Sequence, residues 1–367
     1  MNFNIKRASL LSCLQCVSGN IERRQTLPIL SNVLFDIKPN SLSVTATDME
    51  VELIAVDTDL EFEQAARFTL PSRKLLDICR SLPEEAVIDF DVQENTAQIK
   101  SGKSRFTLAT LPAQEYPLID ITEETIDFKL SYKELIKLLT NTQFAMAQQD
   151  VRYYLNGLML EILPDKIKAV ATDGHRLAYD ETETQTSVNE DRQIIIPRKG
   201  VTELIRLLQT SQCDVDIKVS KNHVHAASGN LTLTSKLIDG KFPDYQRVIP
   251  KTSETIIVAD RKELKNSLSR VSILSNEKYR GVKISLRENA IEILAHNPEK
   301  EEAKEEVSVT YQGNEMEIGF NVSYLIDALT TIDTDKVKLS VLDPNSSCLI
   351  TPEKESHCQY VVMPMKL

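Results

Sequence analysis

Thr172-Asp173-Gly174-His175-Arg176 puts an acid, an imidazole and a guanidinium within five residues. Such a cluster serves proton transfer when a third group orients the histidine, and the sequence fixes no such group beside it. Cys13 and Cys16 form a C-x-x-C, the spacing of a zinc half-site or a dithiol. Both fall on the apolar face of an amphipathic stretch and no second ligand pair follows, so they read as buried thiols. Gly102-Lys103-Ser104 resembles the tail of a phosphate-binding loop, but Ala97 stands where that loop needs its first glycine, and the segment lies between strands. His223-Val224-His225 places two imidazoles on one strand face without a carboxylate or thiol at ligand spacing. These patterns call for no metal and no cofactor.

The elements carrying these residues recur. A strand runs into an amphipathic helix at Phe3-Asn4-Ile5-Lys6-Arg7-Ala8-Ser9-Leu10, at Phe128-Lys129-Leu130-Ser131-Tyr132-Lys133-Glu134-Leu135 and at Ile257-Val258-Ala259-Asp260-Arg261-Lys262-Glu263-Leu264. The period is about 125–130 residues, domain-sized and too long for a solenoid. Alternating strand pairs follow each helix: Asn32–Ile37 with Leu42–Asp48, Asn156–Ile162 with Ile167–Asp173, and Gly281–Leu286 with Ile291–Ala295. Polar turns such as Pro39-Asn40 and Pro164-Asp165 join them as hairpins. A second helix opens after Pro71 and Pro197, where a missing N–H costs nothing, and after Asn321 in the third unit. Each unit therefore reads as two helices packed on an antiparallel sheet, an α+β layered domain. The expected domains are 1–120, 126–248 and 253–367, joined by linkers at 116–125 and 247–254.

The chain has 367 residues, 41% of them hydrophobic and 26% charged, enough apolar material for several cores. It contains no apolar run of eighteen residues, and Met1-Asn2-Phe3-Asn4 leads straight into a strand, so neither a membrane span nor a signal peptide is expected. The six scattered cysteines suit a reducing cytoplasm. The net charge of −11 argues against general nucleic-acid binding. Fields are local, however, because salt screens them beyond about 8 Å. The bases gather on the helices: Lys6, Arg7, Lys133, Lys137, Arg261, Lys262, Lys265 and Arg270 on the first of each unit, and Arg73, Lys74, Arg80, Arg198, Lys199 and Arg206 on the second. The last helix, from Val322 to Leu329, has none. Solvated helix faces and an incomplete cationic stripe suited to nucleic acid both remain open on charge alone.

Several motifs carry a family resemblance over the whole length. They include Thr26-Leu27-Pro28-Ile29-Leu30, Gln149-Asp150-Val151-Arg152-Tyr153-Tyr154-Leu155-Asn156-Gly157, Ala171-Thr172-Asp173-Gly174-His175-Arg176-Leu177-Ala178, Phe242-Pro243-Asp244-Tyr245 and Tyr360-Val361-Val362-Met363-Pro364-Met365. In these the chain resembles the bacterial DNA polymerase III beta subunit, the sliding clamp. The resemblance implies a noncatalytic processivity factor: a head-to-tail homodimer whose six domains form a ring around double-stranded DNA, with helices lining the hole. It implies a cytoplasmic protein that slides without sequence specificity. It also implies a hydrophobic cleft for linear peptides of the polymerase III catalytic subunit, the clamp loader, other polymerases and repair proteins.

The resemblance assigns residues to three roles. Arg24, Arg73, Gln149, Tyr153, Tyr154, Lys199, Tyr279 and Arg280 would face DNA. Arg152, Leu155, Thr172, Gly174, His175, Arg176, Leu177, Pro243, Val248, Asn321, Tyr324, Ser347, Met363, Pro364 and Met365 would line the cleft, which makes the Thr172–Leu177 cluster a pocket wall. Phe106 and Leu108 would meet Ile273 and Leu274 of a second copy, rimmed by Lys74, Lys103 and Arg105 against Glu299, Glu301, Glu302 and Glu305. On the residues alone, Phe106-Thr107-Leu108 also reads as plain strand alternation with one face buried in its own domain.

Overall fold

The computed structural model describes residues 1–20, 27–120, 126–186, 188, 191–250, 255–354 and 357–366. Six α-helices are present among them: α1 (Arg7–Val17), α2 (Ser72–Ser81), α3 (Tyr132–Thr142), α4 (Arg198–Ser211), α5 (Arg261–Val271) and α6 (Val322–Thr331). In α1, α2, α4 and α5 the buried residues carry one spacing, i, i+3, i+4, i+7. In α1 these are Leu10, Cys13, Leu14 and Val17; in α4, Val201, Leu204, Ile205 and Leu208; in α5, Leu264, Ser267, Leu268 and Val271. That spacing makes one apolar stripe per helix, so each helix covers a sheet with a single face. Asp260 caps α5 by accepting the Glu263 N–H at 2.8 Å, and Asn321 caps α6 by accepting that of Ser323 at 2.9 Å.

The chain divides into two compact units, Met1–Ile136 with Lys199–Leu237, and Lys137–Arg198 with Ile238–Leu367. The division cuts the middle repeat, whose strands join a different sheet on each side. In the first unit an eight-stranded sheet runs in spatial order 66–71, 32–38, 41–47, 51–57, 231–236, 223–228, 215–219 and 126–130. A separate four-stranded sheet runs 2–6, 87–92, 96–101 and 104–109. In the second unit a twelve-stranded sheet runs 192–197, 157–162, 166–172, 176–183, 359–362, 348–352, 336–340, 256–260, 302–310, 290–296, 281–287 and 316–321.

Repeats are thus stitched by strand pairing. Leu231–Ser235 of the second repeat runs antiparallel to Val51–Ala55 of the first, with Leu233 opposite Leu53. Gln359–Val362 of the third runs antiparallel to Arg176–Tyr179 of the second, with Tyr360 opposite Ala178. By repeat position, the strand corresponding to 231–236 and 359–362 in the first repeat is Ser104–Ala109, and among the described residues it pairs only with 96–101. The strand corresponding to 51–57 and 176–183 in the third repeat is Glu302–Thr310. It pairs with 290–296 along one side and on the other touches 256–260 only at Val309 and Thr310. Among the described residues two matching sheet edges are therefore left open.

A second internal echo ties helix pairs together. Arg7, first residue of α1, donates from Nε to the Cys79 carbonyl of α2 at 2.7 Å. Arg261, first residue of α5, donates to the Leu329 carbonyl of α6 at 3.2 Å and to that of Thr334 at 2.7 Å. A guanidinium serves well there, because the last carbonyls of a helix lack intrahelical donors and carry partial negative charge. Tyr132 holds the same place in the second repeat.

Candidate functional site: the cleft between the second and third repeats

The expected pocket wall is a tight turn locked by its own side chains. Thr172 Oγ1 donates to the Arg176 carbonyl at 2.6 Å and accepts the Gly174 N–H at 3.1 Å. Asp173 Oδ1 accepts the N–H groups of His175 and Arg176 at 2.9 and 3.0 Å. Gly174 sits at φ +88°, and a Cβ there would lie 2.9 Å from a guanidinium nitrogen of Arg152. This is one of the few positions where only glycine meets both demands.

Arg176 is the hub. Its Nε pairs with Asp173 Oδ2 at 3.1 Å, one terminal nitrogen pairs with Asp327 of α6, and the other donates to the Phe144 carbonyl at 2.9 Å. Its guanidinium lies 4.5 Å from the Tyr324 ring centroid and 5.4 Å from that of Phe144. The His175 ring stacks on Tyr324 at 6.4 Å. One residue thus joins the second-repeat turn to the third-repeat helix. The Asp173 carboxylate is engaged by Arg176 and two backbone amides, so it does not orient the His175 imidazole as a catalytic acid–histidine pair would require.

An apolar core cluster packs around Leu177, at the end of this turn. Leu155, Met159, Val170, Leu177, Ile195, Phe242, Tyr245 and Val361 are buried together, with Tyr154, Tyr179, Val248, Ile249 and Leu349 partly buried around them. The C-terminal segment closes one side: Met363 N–H donates to the His175 carbonyl at 2.9 Å and Met365 N–H to that of Gly319 at 2.9 Å. Met363, Pro364 and Met365 are half-buried, as are Asn321, Tyr324, Ser347 and Val248, while Pro243 is exposed. Arg152 forks onto Asp150 with contacts of 3.0 and 2.9 Å and reaches the Asp173 carbonyl at 3.2 Å. The hydrogen bond from Arg152 pulls the Asp150 carboxyl down to about 2.

Behind that apolar cluster lies a polar layer. Tyr245 Oη donates to Glu161 at 2.9 Å, and Glu161 also accepts from Lys168 and Gln193 at 2.9 and 2.8 Å. Tyr179 Oη donates to Glu181 at 2.5 Å. Burial, reinforced by these carboxylates, pushes both tyrosine hydroxyls up, so they remain donors at neutral pH.

The residues expected to face DNA differ in exposure and pairing. Arg73, Gln149, Tyr153, Tyr279 and Arg280 are exposed and Tyr154 is half-buried. Tyr153 and Tyr154 meet edge to face at 5.8 Å. Gln149 and Arg280 hold left-handed turns at φ +57° and +50°. Arg24 lies outside the described residues. Lys199 is not a free cation, because it pairs with Asp48. Arg206 is also drawn inward, onto Glu203 and the Gln15 and Cys16 carbonyls at the end of α1, and Gly19 leaves room for its guanidinium. With Arg7 and Arg261 likewise committed, the bases read onto the helices that are still exposed are Lys6, Arg73, Lys74, Arg80, Lys133, Lys137, Lys262 and Arg270. The cationic stripe, incomplete already in the sequence because the last helix has no base, is thinned further where charges beside helix ends and neighbouring repeats act as braces.

The expected interface residues differ in their exposure within the single chain. Leu108 is 7% exposed within its own chain, so strand alternation has already buried it, and Phe106 is half-buried. Ile273 is 76% exposed and Leu274 half-buried. Glu299, Glu301 and Glu302 are exposed, as are Lys74, Lys103 and Arg105. Glu305 is held by Arg270 of the same chain at 2.7 and 2.8 Å. Asp327 and Phe144, which fix Arg176, escaped the sequence reading. The available signal was that Asp327 follows Tyr324 by three residues on α6 and so shares its face.

The other chemical lures dissolve. Cys13 is buried with its thiol pushed up to about 12 by desolvation, and Cys16 is half-buried. His225 Nδ1 lies 3.0 Å from Thr234 Oγ1, and burial lowers its pKa. No group of three or more His, Cys, Asp or Glu side chains is placed to hold a metal among the described residues, and no helix there is long and apolar enough to cross a membrane.

Stitched α+β repeats and an interdomain cleft define a three-domain DNA clamp fold. Family models for the DNA polymerase III beta subunit match the chain in order: the N-terminal domain at 1–120, the central domain at 129–244 and the C-terminal domain at 246–366. The beta sliding clamps of Pseudomonas aeruginosa and Vibrio cholerae are 48% and 45% identical, each covered in full by the full length of this chain. A crystal structure of the Pseudomonas aeruginosa clamp bound to griselimycin superposes with a TM-score of 0.96 at 48% identity, covering all of both chains. The chain belongs to the DNA polymerase III beta subunit family, the bacterial sliding clamps, noncatalytic processivity subunits of a replicative polymerase.

Proposed function

We propose that this chain closes into a head-to-tail homodimeric ring, threads duplex DNA and tethers partner proteins by linear peptides seated in the cleft. The open edges carry the ring reading. Repeat one joins repeat two, and repeat two joins repeat three, by the same antiparallel strand addition. A third use of that joint needs the free edge Ser104–Ala109 of one copy and the free edge Glu302–Ser308 of another. Being heterologous, it closes only when the rotation is right. The register follows from the two existing joints. Leu233 opposite Leu53 and Tyr360 opposite Ala178 correspond to Phe106 opposite Ala303 of a second copy, and then Thr107 opposite Glu302. Phe106, Ile273 and Leu274 give that joint its apolar centre, while Lys103 and Arg105 face Glu301, Glu302 and the already paired Glu305. Exposed ion pairs of this kind add only about 0–1 kcal/mol each, fitting a ring that must open.

On DNA, Arg73, Gln149, Tyr153, Tyr154, Tyr279 and Arg280 touch backbone without reading bases, because phosphate contacts carry no sequence information. Retention comes from closure. The cleft's apolar floor and its two methionines suit varied peptides. Two buried anchors supply roughly 3–6 kcal/mol, and micromolar affinity needs about 8. Backbone bonding along the turn covers the remainder and leaves the partners exchangeable.

Cysteines at Thr107 and Glu302, in a background with the exposed Cys213 replaced by serine, test the ring. Oxidation should give a covalent dimer with both joints closed. Higher linear oligomers, or no cross-link, would overturn the closure and the register.

A further inference from the structure

The turn that walls the cleft has a copy in the first repeat. Thr47 Oγ1 donates to the Val51 carbonyl at 3.1 Å and accepts the Met49 N–H at 3.0 Å. Asp48 Oδ1 accepts the N–H groups of Glu50 and Val51 at 2.9 and 2.7 Å. Met49 takes the left-handed conformation of Gly174, at φ +73°. Even the incoming strand matches: Lys236 N–H donates to the Glu50 carbonyl at 2.8 Å, as Met363 N–H does to that of His175. The flanking Tyr116 corresponds to Tyr245, and both are 5% exposed.

The copy departs from the cleft at its floor. Opposite Thr172 the cleft has Leu177; opposite Thr47 the copy has Glu52, 4% exposed. Glu52 Oε2 accepts the Ile119 N–H at 3.1 Å. Ile119 follows Tyr116 by three residues, as the cleft residue Val248 follows Tyr245. The copy's aspartate also differs, because Asp48 is taken by Lys199 of α4 whereas Asp173 is taken by Arg176 of its own turn. A buried carboxylate facing an extended segment offers an acceptor to a backbone donor and repels an apolar anchor.

We infer that Glu52 seals this second, duplicate seat by fastening the chain's own interdomain segment across it, so that each chain presents one peptide site and keeps the first joint rigid. The inference rests on the cleft reading above, and the two stand or fall by separate measurements. Amide exchange on the full-length protein tests the seal directly. The Ile119 amide should be protected in the wild type and in Glu52→Gln, which keeps an acceptor, and should exchange at least about tenfold faster in Glu52→Leu, which installs the cleft's own residue. Unchanged Ile119 protection in Glu52→Leu would overturn the seal. Should Glu52→Leu fail to fold, Glu52→Thr, too short to reach the amide, gives the same comparison. Griselimycin titrated into the wild type should bind once per chain and protect residues 172–177. Binding twice per chain with protection of 47–51 would show the copy to be open and overturn the inference. Absence of protection at 172–177 would instead defeat the cleft reading, with Ile119 exchange still deciding the seal.

Discussion

Arg176 of the second repeat grips Asp327 of the third, while its flat face lies 4.5 Å from Tyr324. The turn and the helix it joins are the two walls of the proposed cleft. Arg176→Ala should therefore lower stability by about 2–3 kcal/mol, the cost of stranding several charge-assisted partners. Asp327→Asn should cost about 1 kcal/mol, because its carboxylate is partly in water. A double-mutant cycle read by thermal melting checks the coupling; additive effects would mean that the pair does not hold the walls together.

Gly174 and Met49 occupy equivalent turns at positive φ, and this predicts opposite outcomes. Gly174→Ala should destabilise by about 1–2 kcal/mol from the left-handed backbone, beyond any displacement of Arg152. Met49→Gly should relieve that strain and be stabilising by up to about 1 kcal/mol, less the extra freedom it gives the unfolded chain. Melting temperatures of both variants check the pair of signs.

Glu52 predicts a pH dependence. Burial, aided by Asp120, raises its pKa to about 7, against the opposing pull of the Ile119 N–H. The folded state therefore holds its proton more tightly than the unfolded state. The stability this contributes is complete below the ordinary carboxyl range and is lost as pH rises from about 4.5 through 7. Relative to Glu52→Gln, the wild type should lose on the order of 3 kcal/mol across that window. Parallel melting curves between pH 5 and 8 give the comparison, and curves that stay parallel would contradict the assignment.

Arg7 and Arg261 act as braces between helices, so Arg7→Lys should cost about 1 kcal/mol although the charge is kept, since an ammonium cannot reproduce the planar donor geometry. Its effect on DNA retention should be negligible, whereas Arg73→Ala should reduce the salt dependence of DNA binding. A retention loss equal in the two variants would restore Arg7 to the DNA surface.

Much of this was legible in the sequence for physical reasons. The i, i+3, i+4, i+7 stripes of α1, α4 and α5 and the hairpins 32–38/41–47, 157–162/166–172 and 281–287/290–296 follow local periodicity, and they emerged as read. The repeat also located the turn at Thr172. What periodicity hides is where a long charged side chain ends. Arg7, Lys199, Arg206 and Arg261 look alike as helix cations, yet each finds a carbonyl or carboxylate far away in sequence. Leu108 shows the same limit, since alternation names its face but not whether its own domain covers it. The splitting of the middle repeat between two units was likewise invisible, because strand partners across a joint leave no short-range mark.

Retention on DNA is the most direct measurement of the central claim. With the clamp loaded on nicked circular duplex, at a salt concentration that abolishes ordinary electrostatic binding, the protein should remain bound for as long as the circle is intact and be lost when a single cut gives it ends. Equal retention on circular and linearised DNA, or none on either, would contradict a ring that holds its template by enclosure.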